Sequence, residues 1–242
     1  MSSLGVIVAR RSSKRLPGKN LLPIGDLPLV GWMARAAAAS HIDRVVVSTE
    51  DDEIAAICET NGAAAPFRRP ATLAADFASS PDIIGHAVDT MNAIDGIVYD
   101  ICVLLQPTTP FVLPEHIDAC LSALDTLKAA CAFTVRQVDE PPEWMFRYNG
   151  GKLAKPLLDK PIEGDQEHSQ HLAKAYFPSG AAYAFRVGAM RAQNRIICDP
   201  ATMVVMDKAR SVDIDDSFDL TYAQLVAREN RFVPVPLVER RA

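Results

Sequence analysis

Five cations and no acid fall within the segment 9–20, ARRSSKRLPGKN: Arg10, Arg11, Lys14, Arg15 and Lys19. Two unit charges 4 Å apart repel by about 1 kcal/mol even in water, so such a cluster points to an anionic partner. Ser12, Ser13 and Gly18 would let backbone N–H groups face the same anion. A polyphosphate suits both kinds of donor. Taken alone, the composition is equally that of a solvated turn. The segment holds neither the Gly-x-x-x-x-Gly-Lys-Ser/Thr of a P-loop nor the Gly-x-Gly-x-x-Gly of a dinucleotide site.

The second constellation is Ser211-Val212-Asp213-Ile214-Asp215-Asp216-Ser217-Phe218-Asp219. If 211–215 is extended, Ser211, Asp213 and Asp215 share one face. Two carboxylates there suit Mg²⁺, which is usually held by one or two carboxylates together with substrate phosphates. Capping of a following helix by Asp215 or Asp216 explains the same acids, and both roles can coexist. A basic phosphate loop and an acidic metal pair on one chain point to nucleotidyl transfer. The loop would hold a triphosphate and the metal would neutralise charge at the attacked phosphorus and the departing pyrophosphate.

These segments need a scaffold, and the rest of the chain supplies one. The chain has 242 residues, 49% hydrophobic and 23% charged. A chain of that length buries roughly 70% of its unfolded surface and needs no staple. Its net charge is −5 and its pI near 5.5, which argues against a nucleic-acid partner. Outside the basic segment 20 basic residues face 30 acidic ones. The odd set Cys58, Cys102, Cys120, Cys131 and Cys198 shows no zinc spacing and reads as reduced core thiols of a cytoplasmic protein. The histidines show no metal spacing either. No apolar run reaches the roughly 18 residues of a membrane span, and Leu4–Ala9 is too short for a signal-peptide core.

Buried-strand patterns at Leu4–Ala9, Arg44–Ser48, Ala63–Phe67, Asp100–Leu105, Ala130–Val135 and Gly180–Phe185 alternate with helical ones. Helices are expected from Pro28 to Ser40, at Asp51–Asn61, from Ser80-Pro81-Asp82 through Met91, at Pro114–Lys128 and at Asp216–Glu229. Phe232–Val235 is expected as an edge strand. This is an α/β pattern: three layers, a mostly parallel sheet with helices on both faces. In such sheets ligands sit beyond the carboxyl ends of the strands, which should bring Arg10–Asn20, Ser48–Asp51 and Gln106–Phe111 together. One domain is expected over 1–242, with the irregular stretch Gln137–Lys174 as an insertion, arm or lid.

At these residues the sequence resembles the CMP-nonulosonate synthetases, the acylneuraminate cytidylyltransferases that charge sialic acid and related nine-carbon acids with CMP. Six segments stand in the family's order: VIVARRSSKRLPGKN, RVVVSTEDDEIA, PFRRPATLA, LLQPTTPF, FPSGAAYAF and SVDID. The resemblance implies a Rossmann-like, nucleotide-diphospho-sugar transferase-like fold. It implies that Arg10, Lys14, Lys19 and Asn20 grip the CTP triphosphate, with Arg10 and Lys19 catalytic. Arg69 and the run Ala78, Ser79, Ser80 would contact the cytidine. Gln106 and Tyr183 would contact the sugar acid. Asp213 and Asp215 would bind Mg²⁺, with Asp215 the candidate general base. A homodimer joined through 137–174 is implied as well. Each residue has a plainer reading: Arg69 in an ion pair, Ser80 as a helix cap, Gln106 satisfying backbone at a strand end, Tyr183 as a core aromatic.

The chain departs from the family at Arg15, where a smaller residue is usual. KRLPGK leans towards the related 3-deoxy-manno-octulosonate (Kdo) cytidylyltransferases, whereas Asn20 and LLQPTTPF lean back. Ser169 stands where many relatives carry Arg, and Tyr176-Phe177-Pro178-Ser179-Gly180 replaces Tyr-Arg-Pro-Asn-Gly. These changes leave the acceptor open among sialic, legionaminic, pseudaminic and deaminated acids, with Kdo, a sugar phosphate, or a silent nucleotide-binding module as alternatives.

Overall fold

The computed structural model describes residues 1–75, 77–148, 150, 154–158 and 172–238. In chain order the strands and helices are β1 (Ser3–Val8), β2 (Pro23–Ile24), β3 (Leu27–Pro28), α1 (Leu29–Ala38), β4 (Arg44–Ser48), α2 (Asp52–Thr60), α3 (Ala71–Ala74), α4 (Ser80–Asp95), β5 (Ile101–Leu105) and α5 (Pro114–Thr126). Then follow β6 (Cys131–Gln137), β7 (Phe146–Arg147), β8 (Lys155–Pro156), β9 (Tyr176–Arg186), α6 (Val187–Gln193), β10 (Ala201–Val205) and α7 (Ser217–Glu229).

Six strands form one sheet in the order β10-β6-β9-β5-β1-β4. The β10–β6, β5–β1 and β1–β4 pairs are parallel, and β9 alone runs against its two neighbours. Alternation along β1 explains the layers. Leu4 and Val6 point into a cluster with Ile84, Val88 and Met91 of α4 and Met190 of α6. Ile7 points to the opposite face, with Val30 and Met33 of α1, Ile54 of α2 and Ile117 of α5. Strands covered on both faces read as unbroken apolar runs, and β5 (ICVLL) is buried throughout. A third cluster packs α7 on α1 and the β2–β3 hairpin around Trp32 and Phe111, whose rings meet edge-on at 5.5 Å. All five cysteines are buried free thiols.

Several expectations need correction. The strand expected at Ala63–Phe67 reduces to one parallel bridge, Val46 to Ala64. Pro66 lacks the N–H that the next rung would require. The edge strand expected at Phe232–Val235 does not form. Phe232 turns inward, 5.2 Å from the Phe111 ring and beneath the Arg210 guanidinium, and Pro234 and Pro236 interrupt any ladder. Pro28 precedes α1 as its N-cap. The strand expected from Gly180 starts four residues earlier, at Tyr176, while α6 and β10 were not anticipated. Of the stretch 137–174, the described part holds a 3-10 turn at Pro142–Trp144 and the antiparallel pair β7–β8. Ser169 lies outside the described residues. Among the described residues no helix is long and apolar enough to cross a membrane.

Because five strands point the same way, the segments following β1, β4, β5 and β10 emerge on one edge. The amino-terminal half of β9 lies at that edge too, as Gln106 N–H donates to Ala181 O. This edge carries the candidate site.

Candidate active site

The basic turn is built from its ends inward. Gly18 has φ 67°, a left-handed conformation that favours glycine, and it caps the 3-10 turn Lys19–Leu21. Asn20 is buried, and its Nδ2 donates to Arg10 O at 2.9 Å, tying the end of the turn to its start. Leu16 packs against the cluster around Trp32 and Phe111, anchoring the crest. Four of the five cations, Arg10, Lys14, Arg15 and Lys19, line a cleft of about 510 Å³. Arg11 does not. Its N–H donates to Glu50 and its guanidinium pairs with Glu53 on α2.

The opposite wall comes from the segment before α4 and from the loop after β5. Ala78, Ser80 and Gln106 line the cleft, as do Pro107 and Thr108. Ser79 lies outside the lining and instead caps α4, its Oγ accepting from Asp82 N–H. The cap role expected for Ser80 therefore belongs to the residue before it. Arg69 is almost wholly buried. Its guanidinium donates to Ala9 O at 3.0 Å and to Glu50 Oε2 at 2.7 Å. Glu50 thus joins the turn to Arg69. The only signal for it in the sequence is an acid just past a buried strand. Asn20 Oδ1 and Arg69 Nε are buried at the cleft without a hydrogen-bond partner among the described residues. Buried polar atoms are nearly always paired, so both are suited to meet a ligand.

Ser211 does not share a face with the aspartates. It is the buried last residue of a 3-10 turn, Lys208–Ser211, its hydroxyl donating to Asp207 O. Asp213 and Asp215 follow, fixed by Ile214 N–H donating to Thr108 O at 2.8 Å. Lys19 Nζ donates to Ile214 O at 2.7 Å and to Asp215 Oδ1 at 3.1 Å, and Arg15 reaches the same carboxylate oxygen at 2.8 Å. The basic turn and the late acids therefore share one site. Asp213's pKa lies above the ordinary carboxylate value. Desolvation is the main cause, reinforced by the Asp215 and Asp219 charges and opposed by a hydrogen bond from Thr108 and by the Lys19 ammonium.

Gly180 completes the site at φ 87°. A Cβ here would lie 3.2 Å from Thr109 Oγ1 and 3.5 Å from Gln106 Oε1. Tyr183 sits further down β9, its ring stacked on Phe133 at 6.0 Å in the cluster beneath α4. It is absent from the cleft lining, and burial followed by the Asp213 charge raises its phenol pKa.

Oxygen donors alone, a carboxylate pair and flanking cations suit a polyphosphate with a hard divalent ion. Among the described residues no group of three or more His, Cys, Asp or Glu side chains could hold a metal by itself. The two-carboxylate arrangement matches the way Mg²⁺ leaves positions for water and phosphate.

Comparison with known proteins identifies the family. The cytidylyltransferase family profile matches residues 4–209. A pseudaminic acid cytidylyltransferase of Campylobacter jejuni is 28% identical over 95% of this chain and 98% of its own length. A CMP-N,N'-diacetyllegionaminic acid synthase of Legionella pneumophila is also 28% identical, over 96% and 98%. The solved structure of a CMP:2-keto-3-deoxy-manno-octonic acid synthetase complexed with CTP superposes with a TM-score of 0.65, covering 95% of this chain and 100% of that one at 18% identity. That likeness bears on the fold. The chain belongs to the cytidylyltransferase family and is a CTP-dependent nucleotidyltransferase.

Proposed function

We propose that this protein transfers CMP from CTP to the anomeric 2-hydroxyl of a nonulosonic acid and releases pyrophosphate. One observation carries the reading: Lys19 of the basic turn and Asp215 of the acidic pair meet at 3.1 Å beside a cleft of about 510 Å³. Relatives named for pseudaminic and legionaminic acids, aligned over nearly the whole of both chains, support the acceptor class.

Arg10, Lys14, Arg15 and Lys19 hold the triphosphate and spread its charge. Asn20 and Arg69 use their unpartnered atoms on the nucleotide. Asp213 and Asp215 hold Mg²⁺, which when bound supplies charge neutralisation at the phosphates. Gln106, with Gly180 leaving room beside it, orients the sugar acid. The acceptor oxygen attacks the α-phosphorus, the bond to the β-phosphate oxygen breaks, and pyrophosphate leaves with the bonding pair. Asp215 takes the hydroxyl proton. Catalysis of this kind rests on positioning and charge stabilisation.

Trp144, Phe146 and Tyr148 are exposed on the described part of the arm. They suit a homodimer joined through that arm, which light scattering of the purified protein checks. Kdo is the second reading for the acceptor, favoured by KRLPGK. The test is incubation with CTP, Mg²⁺ and a panel of eight- and nine-carbon 2-keto-3-deoxy acids, with pyrophosphate and CMP-sugar both measured. Nonulosonic acids should be turned over at least tenfold faster than Kdo. Pyrophosphate release with Kdo alone would transfer the assignment to the second reading. Release with none of them would end both.

A further inference from the structure

We infer that Asp219 is the positioning residue for the metal-binding aspartates, acting on the backbone of Asp215 and not on the ion. This rests on the reading of Asp213 and Asp215 as ligands. The segment 214–216 is held at three places. Ile214 N–H donates to Thr108 O at 2.8 Å. Lys19 Nζ donates to Ile214 O at 2.7 Å. The third hold is Asp219 Oδ2, which accepts from Asp215 N–H at 2.9 Å and from Asp216 N–H at 3.1 Å.

The geometry exceeds what a helix start needs. Asp216 is already the N-cap of α7, its Oδ1 accepting from Phe218 N–H and Asp219 N–H. Those are the donors that capping satisfies. In an ordinary capping box the residue at the third helical position reaches back to the N-cap N–H alone. Asp219 reaches one residue further, to the N–H of Asp215 itself. Each of its two hydrogen bonds joins a charged oxygen to a backbone N–H, the stronger kind. The first turn of α7 thereby fixes where the Asp215 carboxylate leaves the chain. Asp219 Oδ2 is thereby committed to two backbone N–H groups. Partners that orient metal ligands without touching the ion typically cost 10–100-fold in metal affinity when removed.

The test compares wild type, Asp219→Ala and Asp219→Asn. Asparagine keeps a carbonyl oxygen that can accept both bonds. Mn²⁺ binding in the presence of CTP is read by electron paramagnetic resonance, CTP binding without metal by calorimetry, and α7 by circular dichroism. Asp219→Ala should weaken Mn²⁺ binding about tenfold or more, leave metal-free CTP binding within twofold and keep the helix signal. Asp219→Asn should recover at least half of the metal affinity. Unchanged Mn²⁺ affinity in Asp219→Ala would overturn the inference, leaving a cap only. Equal loss in both variants would overturn it too, because charge or ligation would then be the role. Wild type binding no Mn²⁺ with CTP would refute the metal reading beneath it.

Discussion

Lys19 and Asp215, 196 residues apart in the chain, meet at 3.1 Å, and the same ammonium holds the carbonyl of Ile214 at 2.7 Å. The contact joins the turn after the first strand to the segment after the last. Lys19 keeps only 11% of its side-chain surface exposed. The lysine can pass from aspartate to phosphate with a small movement of a flexible stem.

Lys19→Ala should therefore lower kcat/KM by about 100–1000-fold, the usual loss on removing one charge-stabilising donor. The circular dichroism spectrum should stay that of wild type. A fall of less than about tenfold would take Lys19 off the triphosphate.

Asp213 makes a prediction about pH. Its folded pKa is raised, so the native state holds that proton more readily than the unfolded chain does. The stability it contributes is present in acid and is lost as pH rises through the raised value. At neutral pH the ionised carboxylate works against the fold. Asp213→Asn should be inactive yet melt above wild type at about pH 7. The gain should shrink towards about pH 4, near the ordinary carboxylate value. A variant that melts lower at neutral pH would contradict this sign.

Arg69 predicts a loss of both stability and binding. Its guanidinium is buried while Glu50 is partly open to water. Removing one partner of a fully buried pair costs about 3–5 kcal/mol, and the exposure of Glu50 brings the expected cost of Arg69→Ala to about 2 kcal/mol, measured by urea unfolding. Both bonds leave from Nη2, which the shorter lysine stem does not reach, so Arg69→Lys should recover little. Recovery of full stability in Arg69→Lys would show that charge alone suffices.

Gly180→Ala tests the backbone of the acceptor side. A left-handed φ costs an L-residue about 1–2 kcal/mol, and the new methyl would press on Thr109 Oγ1, which donates to Ser179 O at 2.8 Å. Lower thermal stability with a raised KM for the acid and little change in KM for CTP is the expected pattern. An equal rise in both would place Gly180 on the nucleotide side.

The sheet was legible where strands are buried on both faces. β1, β4 and β5 are short β-branched or apolar runs, and no register choice competes with burying them. β10 escaped because it is an edge strand whose side chains alternate between exposed and half-buried. α6 escaped because seven residues are too few to show a helical period. Charge density singled out the turn whose Arg10, Lys14, Arg15 and Lys19 line the cleft, but only the fold shows Arg11 drawn away to Glu53. Glu50 and Asp219 were hidden. Glu50 acts on Arg11 and Arg69, both distant in the chain, and Asp219 reaches the N–H of Asp215, one residue beyond what a capping pattern records. Tyr183 shows the converse: it matches a motif, yet its ring packs on Phe133.

The most direct test of a basic turn and an aspartate pair closing on one triphosphate is ³¹P nuclear magnetic resonance of bound CTP titrated with trace Mn²⁺. Strong broadening of the α-phosphorus signal in wild type, abolished in Asp213→Asn although CTP still binds, is the expected result. Bound CTP whose α-phosphorus broadens equally in both proteins would contradict it.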